Sequence, residues 1–291
     1  MRRDAGNLIL LTLSASVFTP PHYLQDKIIQ YLAEQNNIDI GSLYVFNDYI
    51  TGVFPRYKKM MGYVIRKEGG WPGVFPALNC KNVMVLGASG MVGSRITAEA
   101  KTRGHVVTCV SRSGAGQGPA PAPSGITVDA NDASALEAAL KEKNIDTLVI
   151  AMGPNRKDPS YPALKETYAS IMTAARAYGD KLHVFCVGGA GSLIVDGGKT
   201  VVEQPWFPEH VKPEANAHTE GLAFLKTVED VKWSYLSPPP MIQPGERTGQ
   251  FNIAEGDNMI GQSVSAEDYA IAAVDEIDKP THLRKRFAVA N

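Results

Sequence analysis

At Val83 an apolar run breaks on closely spaced glycines and then turns amphipathic: "VMVLGASGMVGSRITAEAKTRGHVVTCVSRS". A glycine triplet between a strand and a helix restricts the chain to a few architectures. Gly87 permits a tight turn, Gly90 lets a ligand approach the backbone, and Gly93 lets the helix close on the sheet. The helix N-terminus behind them offers unpaired N–H groups and partial positive charge, which suits a pyrophosphate. Gly87, Ser89, Gly90, Met91, Val92 and Gly93 are therefore expected to hold a dinucleotide, Ser89 adding a hydroxyl donor.

The rest of the chain agrees with that opening. After Lys81 come strand-like runs "NVMVLGA", "HVVTCVSR", "ITVDA", "DTLVIAM", "LHVFCVGG" and "WSYLSP", separated by helical patterns such as "SALEAALKEKN" and "YPALKETYASIMTAARAYG". Apolar strands alternating with amphipathic helices predict an α/β fold, a doubly wound parallel sheet of the Rossmann kind. "GAGQGPAPAPSG" leaves no room for a helix, so the second crossover is reduced to a loop. Residues 1–80 read as an N-terminal extension ahead of an 81–291 domain. In it "NLILLTLSAS" suits a strand, "TPPHYLQDKIIQYLAEQNN" a helix and "SLYVFNDYITGVF" a strand pair; its role is open.

Ligands of such sheets bind at the carboxyl ends of the strands. The second strand ends in "VSRSG", with no carboxylate to accept from a ribose 2′-hydroxyl. Arg112 instead offers a planar fork to a 2′-phosphate, with Ser111 and Ser113 beside it, which favours NADP over NAD. Asp129 and Ala130 are expected near the adenine, and Ala151, Met152 and Gly153 beneath the central phosphates. Gly188, Gly189 and Ala190 are expected to flank the nicotinamide, and Ser237, Pro238 and Pro239 to wall its pocket.

Composition excludes some partners. The 291-residue chain is 44% hydrophobic and 20% charged with a net charge of −1, which gives no electrostatic reason to bind nucleic acid. No run approaches the ~20 apolar residues of a membrane-spanning helix. Cys80, Cys109 and Cys186 form neither a CxxC pair nor a metal-ligand spacing, which points to a reducing, cytoplasmic setting and no metal. "MRRDAGNLILLTLSASVF" loosely resembles a signal peptide, but Asp4 and the thiols weigh against export. The expected partner is a small molecule, and the oligomeric state is open.

On the glycine turn, "VGGAGSL", "FPEHVKPEANAHTEGLAFLK", "WSYLSPPPMIQPGERTGQF" and "SVSAEDYAIAAVDEIDKPTHLRKRFAVAN", the chain resembles the atypical short-chain dehydrogenase/reductases. It is most similar to the NADH-flavin reductase, or NmrA-like NAD(P)H-binding, group. The likeness runs from about Lys81 to Asn291. It implies a Rossmann domain and flavin or quinone-like acceptors, with flavin as a possible substrate.

Tyr161 and Lys165 match the YxxxK spacing of typical short-chain dehydrogenases, where the tyrosine donates the proton. They precede "LHVFCVGG", however, and so lie on the wrong helix. The expected helix carries Lys212 and Asn216 in those slots, so the dyad is absent. Hydride transfer to a flavin or quinone needs positioning more than a dedicated acid. Ser192, Lys212 and His218 are the candidates for orienting or protonating a substrate; His218 reads equally well as a solvated or capping residue. Glu246 and Arg247 face substrate or pair at the surface. Ser265 is expected to cap a packing helix with Glu267 and Asp268 in its first turn. The leading reading is a reductase of a planar acceptor. Its rivals are a non-catalytic NADP sensor and an epimerase.

Overall fold

Alternate residues of one short strand serve opposite faces of the molecule. In the computed structural model, β3 (Asn82–Leu86) sends Met84 and Leu86 into one apolar cluster and Val83 and Val85 into another. A strand covered on both faces is apolar at every position, which is why it reads as a continuous hydrophobic run. The structure describes residues 43–48, 60–65, 80–111, 125–154 and 163–291. The chain divides into two compact units, Met1–Phe75 and Pro76–Asn291. In the first, β1 (Leu43–Asp48) pairs antiparallel with β2 (Met60–Ile65). The pair expected within "SLYVFNDYITGVF" therefore has its second strand further along the chain. The strand and helix expected before residue 40 lie outside the described residues.

The second unit is built on an eight-stranded sheet. After β3 come α1 (Met91–Thr102), β4 (Val106–Ser111), β5 (Ile126–Thr127), α2 (Ala133–Glu142), β6 (Thr147–Ile150), α3 (Leu164–Tyr178) and β7 (His183–Val187). There follow α4 (Lys212–Leu225), β8 (Lys232–Ser237), β9 (Met241–Gln243), β10 (Asn252–Glu255), β11 (Ser263–Ser265), α5 (Ala266–Asp278) and β12 (Lys285–Ala290). The sheet order is β10-β12-β8-β7-β6-β3-β4-β5, parallel throughout except for β10 against β12. This is the doubly wound sheet that the alternating pattern predicts. Its strand order reverses beside β3, opening a crevice between β3 and β6.

The helices divide between the faces. Leu136 and Leu140 of α2, Ile171 and Met172 of α3, and Leu222 and Leu225 of α4 join Met84 and Leu86. Ile96 and Ala100 of α1 and Tyr269, Val274 and Ile277 of α5 join Val83 and Val85. A side chain at Gly221 would have its Cβ 2.9 Å from the Tyr168 ring, so α3 and α4 approach closely at that point.

One expected strand is shorter than its sequence pattern, and the structure adds strands that the pattern does not name. "ITVDA" forms a strand over Ile126–Thr127 only, and Asp129 leaves it in a turn in which its Oδ1 accepts from Asn131 N–H at 3.0 Å. "KRFAVA" is the strand β12, buried from Arg286 onward. β9 and β11 form a separate parallel pair. Among the described residues no helix is long and apolar enough to cross a membrane.

Candidate functional site

The glycine turn is fixed by contacts at two glycines and left open at the third. Gly87 has φ +80°, and a Cβ there would lie 2.4 Å from the Ala151 carbonyl oxygen. A Cβ at Gly93 would lie 2.2 Å from the Gly87 oxygen, so α1 can seat on the turn only without a side chain. At Gly90 the nearest atom to a Cβ is 3.4 Å away. That space is the approach a pyrophosphate needs. Gly90 is also the N-cap of α1, with no capping side chain and no acidic residue in the first turn. The leading N–H groups of the helix are thus left for an anion. Ser89 is half-buried, Gly90 and Met91 are exposed, and Val92 is half-buried behind them. These residues fit a dinucleotide phosphate cradle.

Successive strand ends carry the other expected residues. Ala151 N–H donates to the Leu86 carbonyl at 2.9 Å, binding the end of β6 to that of β3. Met152 is half-buried and Gly153 exposed at the crevice. Gly188 N–H donates to the Leu236 carbonyl at 2.8 Å, and a Cβ there would be 2.2 Å from the Tyr235 ring. Gly189 N–H donates to the Tyr235 hydroxyl at 3.2 Å, and Ala190 beside it is half-buried. Ala130 is buried and Asp129 exposed after β5. Pro238 and Pro239 are buried beyond β8. The Ser237 hydroxyl is also buried, and accepts from Arg286 Nε at 2.9 Å. Arg112, Ser113 and Tyr161 lie outside the described residues, as does the side chain of Ser111.

His218 is neither solvated nor a cap. It is 8% exposed, on the face of α4 that meets the strand ends. A Cβ at Gly189 would lie 2.9 Å from His218 Cβ, and one at Gly153 would lie 3.7 Å from its Nε2 and 3.4 Å from Glu214 Oε1. The imidazole thus fills the gap between the ends of β6 and β7, with Glu214 one turn earlier on the same helix face. Burial pushes its pKa down to about 4. Its Nδ1 is buried and has no hydrogen-bond partner. A buried polar atom without a partner costs free energy, so its retention here calls for an explanation.

Lys212 and Ser192 are placed differently. Lys212 opens α4, with its ammonium on Glu209 Oε1. Ser192 is half-buried in the turn after β7, where its carbonyl accepts from Arg286 Nη1 at 3.0 Å. Glu246 and Arg247 do not pair with each other. Arg247 reaches the buried Glu99 of α1, at 3.1 Å and 3.0 Å. Thr248 N–H and Gly249 N–H donate to Asp268 Oδ1, both at 2.8 Å, and the Thr248 hydroxyl donates to Oδ2 at 2.6 Å. The PGERTG stretch is therefore a latch onto α1 and α5. The expected Ser265 cap is present, its Oγ accepting from Asp268 N–H at 3.0 Å. Arg286 and Glu214 were not singled out in the sequence. An E-x-x-x-H step on a helix is a signal that could have found Glu214. Arg286 sits in a basic run that hides its burial.

A doubly wound sheet with an open phosphate cradle at its switch point defines a dinucleotide-binding protein of the Rossmann class. A family model described as NAD(P)H-binding matches residues 87–280, and the chain belongs to that family. It is 33% identical over 223 residues to the uncharacterized protein YwnB of Bacillus subtilis, covering 71% of this chain and 97% of that one. Solved structures agree. A Burkholderia pseudomallei protein described as a candidate exported protein is 36% identical with a TM-score of 0.63, over 72% of this chain and 100% of that one. A Streptococcus pneumoniae protein described as a candidate NADH-flavin reductase is 29% identical with a TM-score of 0.61, over 72% and 99%. A candidate epimerase from Bacteroides thetaiotaomicron is also 29% identical with a TM-score of 0.61, over 72% and 97%.

Proposed function

We propose that this protein is an NADPH-dependent oxidoreductase that passes hydride to a flavin, a quinone or a similar planar acceptor. The observation that carries the reading is the placement of His218: a buried imidazole with an uncommitted nitrogen, between the strand ends that follow the phosphate cradle. The S. pneumoniae relative supports a flavin as the acceptor. Bound NADPH supplies the hydride. Gly90 and the α1 N-terminus bind its pyrophosphate, and Arg112 pairs with the 2′-phosphate that distinguishes NADP from NAD. Gly188 and Gly189, packed on Tyr235 and His218, would bring the end of β7 beside the nicotinamide. His218 is neutral at neutral pH, because burial holds its pKa near 4. It therefore orients the acceptor by a hydrogen bond and is no strong acid; the proton that accompanies the hydride comes from water. Lys212, tied to Glu209, takes no direct part, and Ser192 acts through its backbone.

Absorbance loss at the nicotinamide band tests this, with FMN and a simple quinone as acceptors and NADPH or NADH as donor. The expected result is acceptor-dependent oxidation that prefers NADPH, the preference falling at least about tenfold in Arg112→Ala as one charge-assisted contact is lost. NADPH binding without turnover on any acceptor would replace this reading with that of a redox sensor. An unchanged preference in Arg112→Ala would remove that residue from the account.

A further inference from the structure

Arg286 is the most buried arginine among the described residues, at 4% exposure. It projects from β12, next to β8, and its guanidinium joins three separate parts of the chain. Nε donates to the Ser237 hydroxyl at the end of β8, at 2.9 Å. Nη1 donates to the Ser192 carbonyl in the turn after β7, at 3.0 Å, and to Asp257 Oδ1 after β10, at 3.2 Å. Asp257 is shared with Lys226, 3.1 Å away. Nη2 is buried and has no partner.

This arrangement is an expensive way to fill space. A desolvated guanidinium with an unsatisfied nitrogen is poorer for stability than an apolar side chain of similar volume. What the arginine adds is geometry, and the geometry concerns the 188–195 turn. On one side the turn rests on α4: Cβ atoms at Gly189 and Gly191 would come within 2.9 Å of His218 and 2.7 Å of Ala215. On the other side Arg286 holds it at Ser192. The Asp257–Asn258 segment completes the support, Ile194 N–H donating to the Asp257 carbonyl at 2.8 Å.

We propose that Arg286 is a positioning residue for the acceptor side of the site, fixing the 188–195 turn, through Ser192 and Ser237, where Gly189 meets His218. The proposal rests on the oxidoreductase reading for its kinetic consequence, but not for its structural one. Arg286 acts at a distance; the turn and His218 touch the ligands. The dinucleotide's pyrophosphate would be held at Gly90, away from this turn, so NADPH affinity should depend on Arg286 far less than acceptor affinity does.

The test compares the full-length wild type with Arg286→Met and Arg286→Lys. Hydrogen exchange is read over residues 189–195, NADPH affinity by titration, and acceptor kinetics with FMN. In Arg286→Met we expect faster exchange in the turn with unchanged protection in β3 and β6. Acceptor KM should rise about tenfold, the loss of one hydrogen bond to a charged group, while NADPH Kd moves less than about twofold. Arg286→Lys keeps the charge but not the fork, and should show the same split if the methionine variant does not fold. Unchanged exchange in the turn would overturn the proposal. So would NADPH affinity and acceptor KM worsening together in step with a falling Tm, the mark of a merely structural role. Should the wild type reduce no acceptor, the oxidoreductase reading fails, and turn exchange alone decides for or against Arg286.

Discussion

At Gly90 the fold accepts a methyl group and a bound pyrophosphate does not. Its φ of −73° is ordinary for any residue, and the nearest neighbour to a Cβ is 3.4 Å away. Gly90→Ala should therefore keep its Tm. At Gly87, with φ +80° and the Ala151 oxygen 2.4 Å from a Cβ, the same change should cost more than about 2 kcal/mol, read by denaturant unfolding. The sequence reading gives Gly90 to the ligand and Gly87 and Gly93 to the fold; the backbone geometry adds the close contacts at the latter two and the open space at Gly90. His183 and His218 give a second residue-scale prediction. Burial pushes each from 6.5 down to about 4. Between those values the unfolded chain binds protons that the folded chain does not, so stability falls as pH falls. The slope should be about 1.4 kcal/mol per pH unit for each histidine, seen by unfolding across pH 6.5 to 4. His218→Asn should remove about half of it.

At the scale of elements, the strand and helix positions of the parallel sheet were legible because each strand is a short apolar run and each helix an amphipathic one. β12 was not, since Lys285 and Arg286 open it with charge and only tertiary contacts bury the arginine. The latch on PGERTG was likewise invisible: its partners Glu99 and Asp268 lie far away in sequence. Burial works to raise the Asp268 carboxyl, but the donors from Thr248, Gly249 and Asn291 outweigh it and hold the pKa below the usual range. Its contribution to stability is present above the unfolded pKa and is lost as pH falls through the folded one. Asp268→Asn should destabilise by about 2–3 kcal/mol, measured by denaturant unfolding, because buried donors lose a charged acceptor. Arg247→Ala, at the exposed end of the latch, should cost less than about 1 kcal/mol.

Across the whole molecule, the cradle and His218 come from elements distant in the chain and meet only because the sheet is wound both ways from β3. The sequence placed the cofactor residues at strand ends by this logic. It left His218 open because burial depends on how α4 packs over Gly153 and Gly189. The solved relatives cover 72% of the chain, and the family match over residues 87–280 lies within its second unit. The thiols report on global opening. Cys80 is exposed whereas Cys109 and Cys186 are buried, and burial raises the Cys186 thiol far above its usual range. A thiol reagent should therefore label Cys80 at once and Cys186 only at the rate of unfolding.

A titration of wild type and Gly90→Ala with NADPH tests most directly whether the open N-terminus of α1 receives a nicotinamide dinucleotide. The expected result is binding by the wild type and at least about tenfold weaker binding by the variant at an unchanged Tm, since only the ligand's approach is blocked. Equal affinity in the two proteins, or no binding by the wild type, would contradict it and leave the glycine turn a packing device.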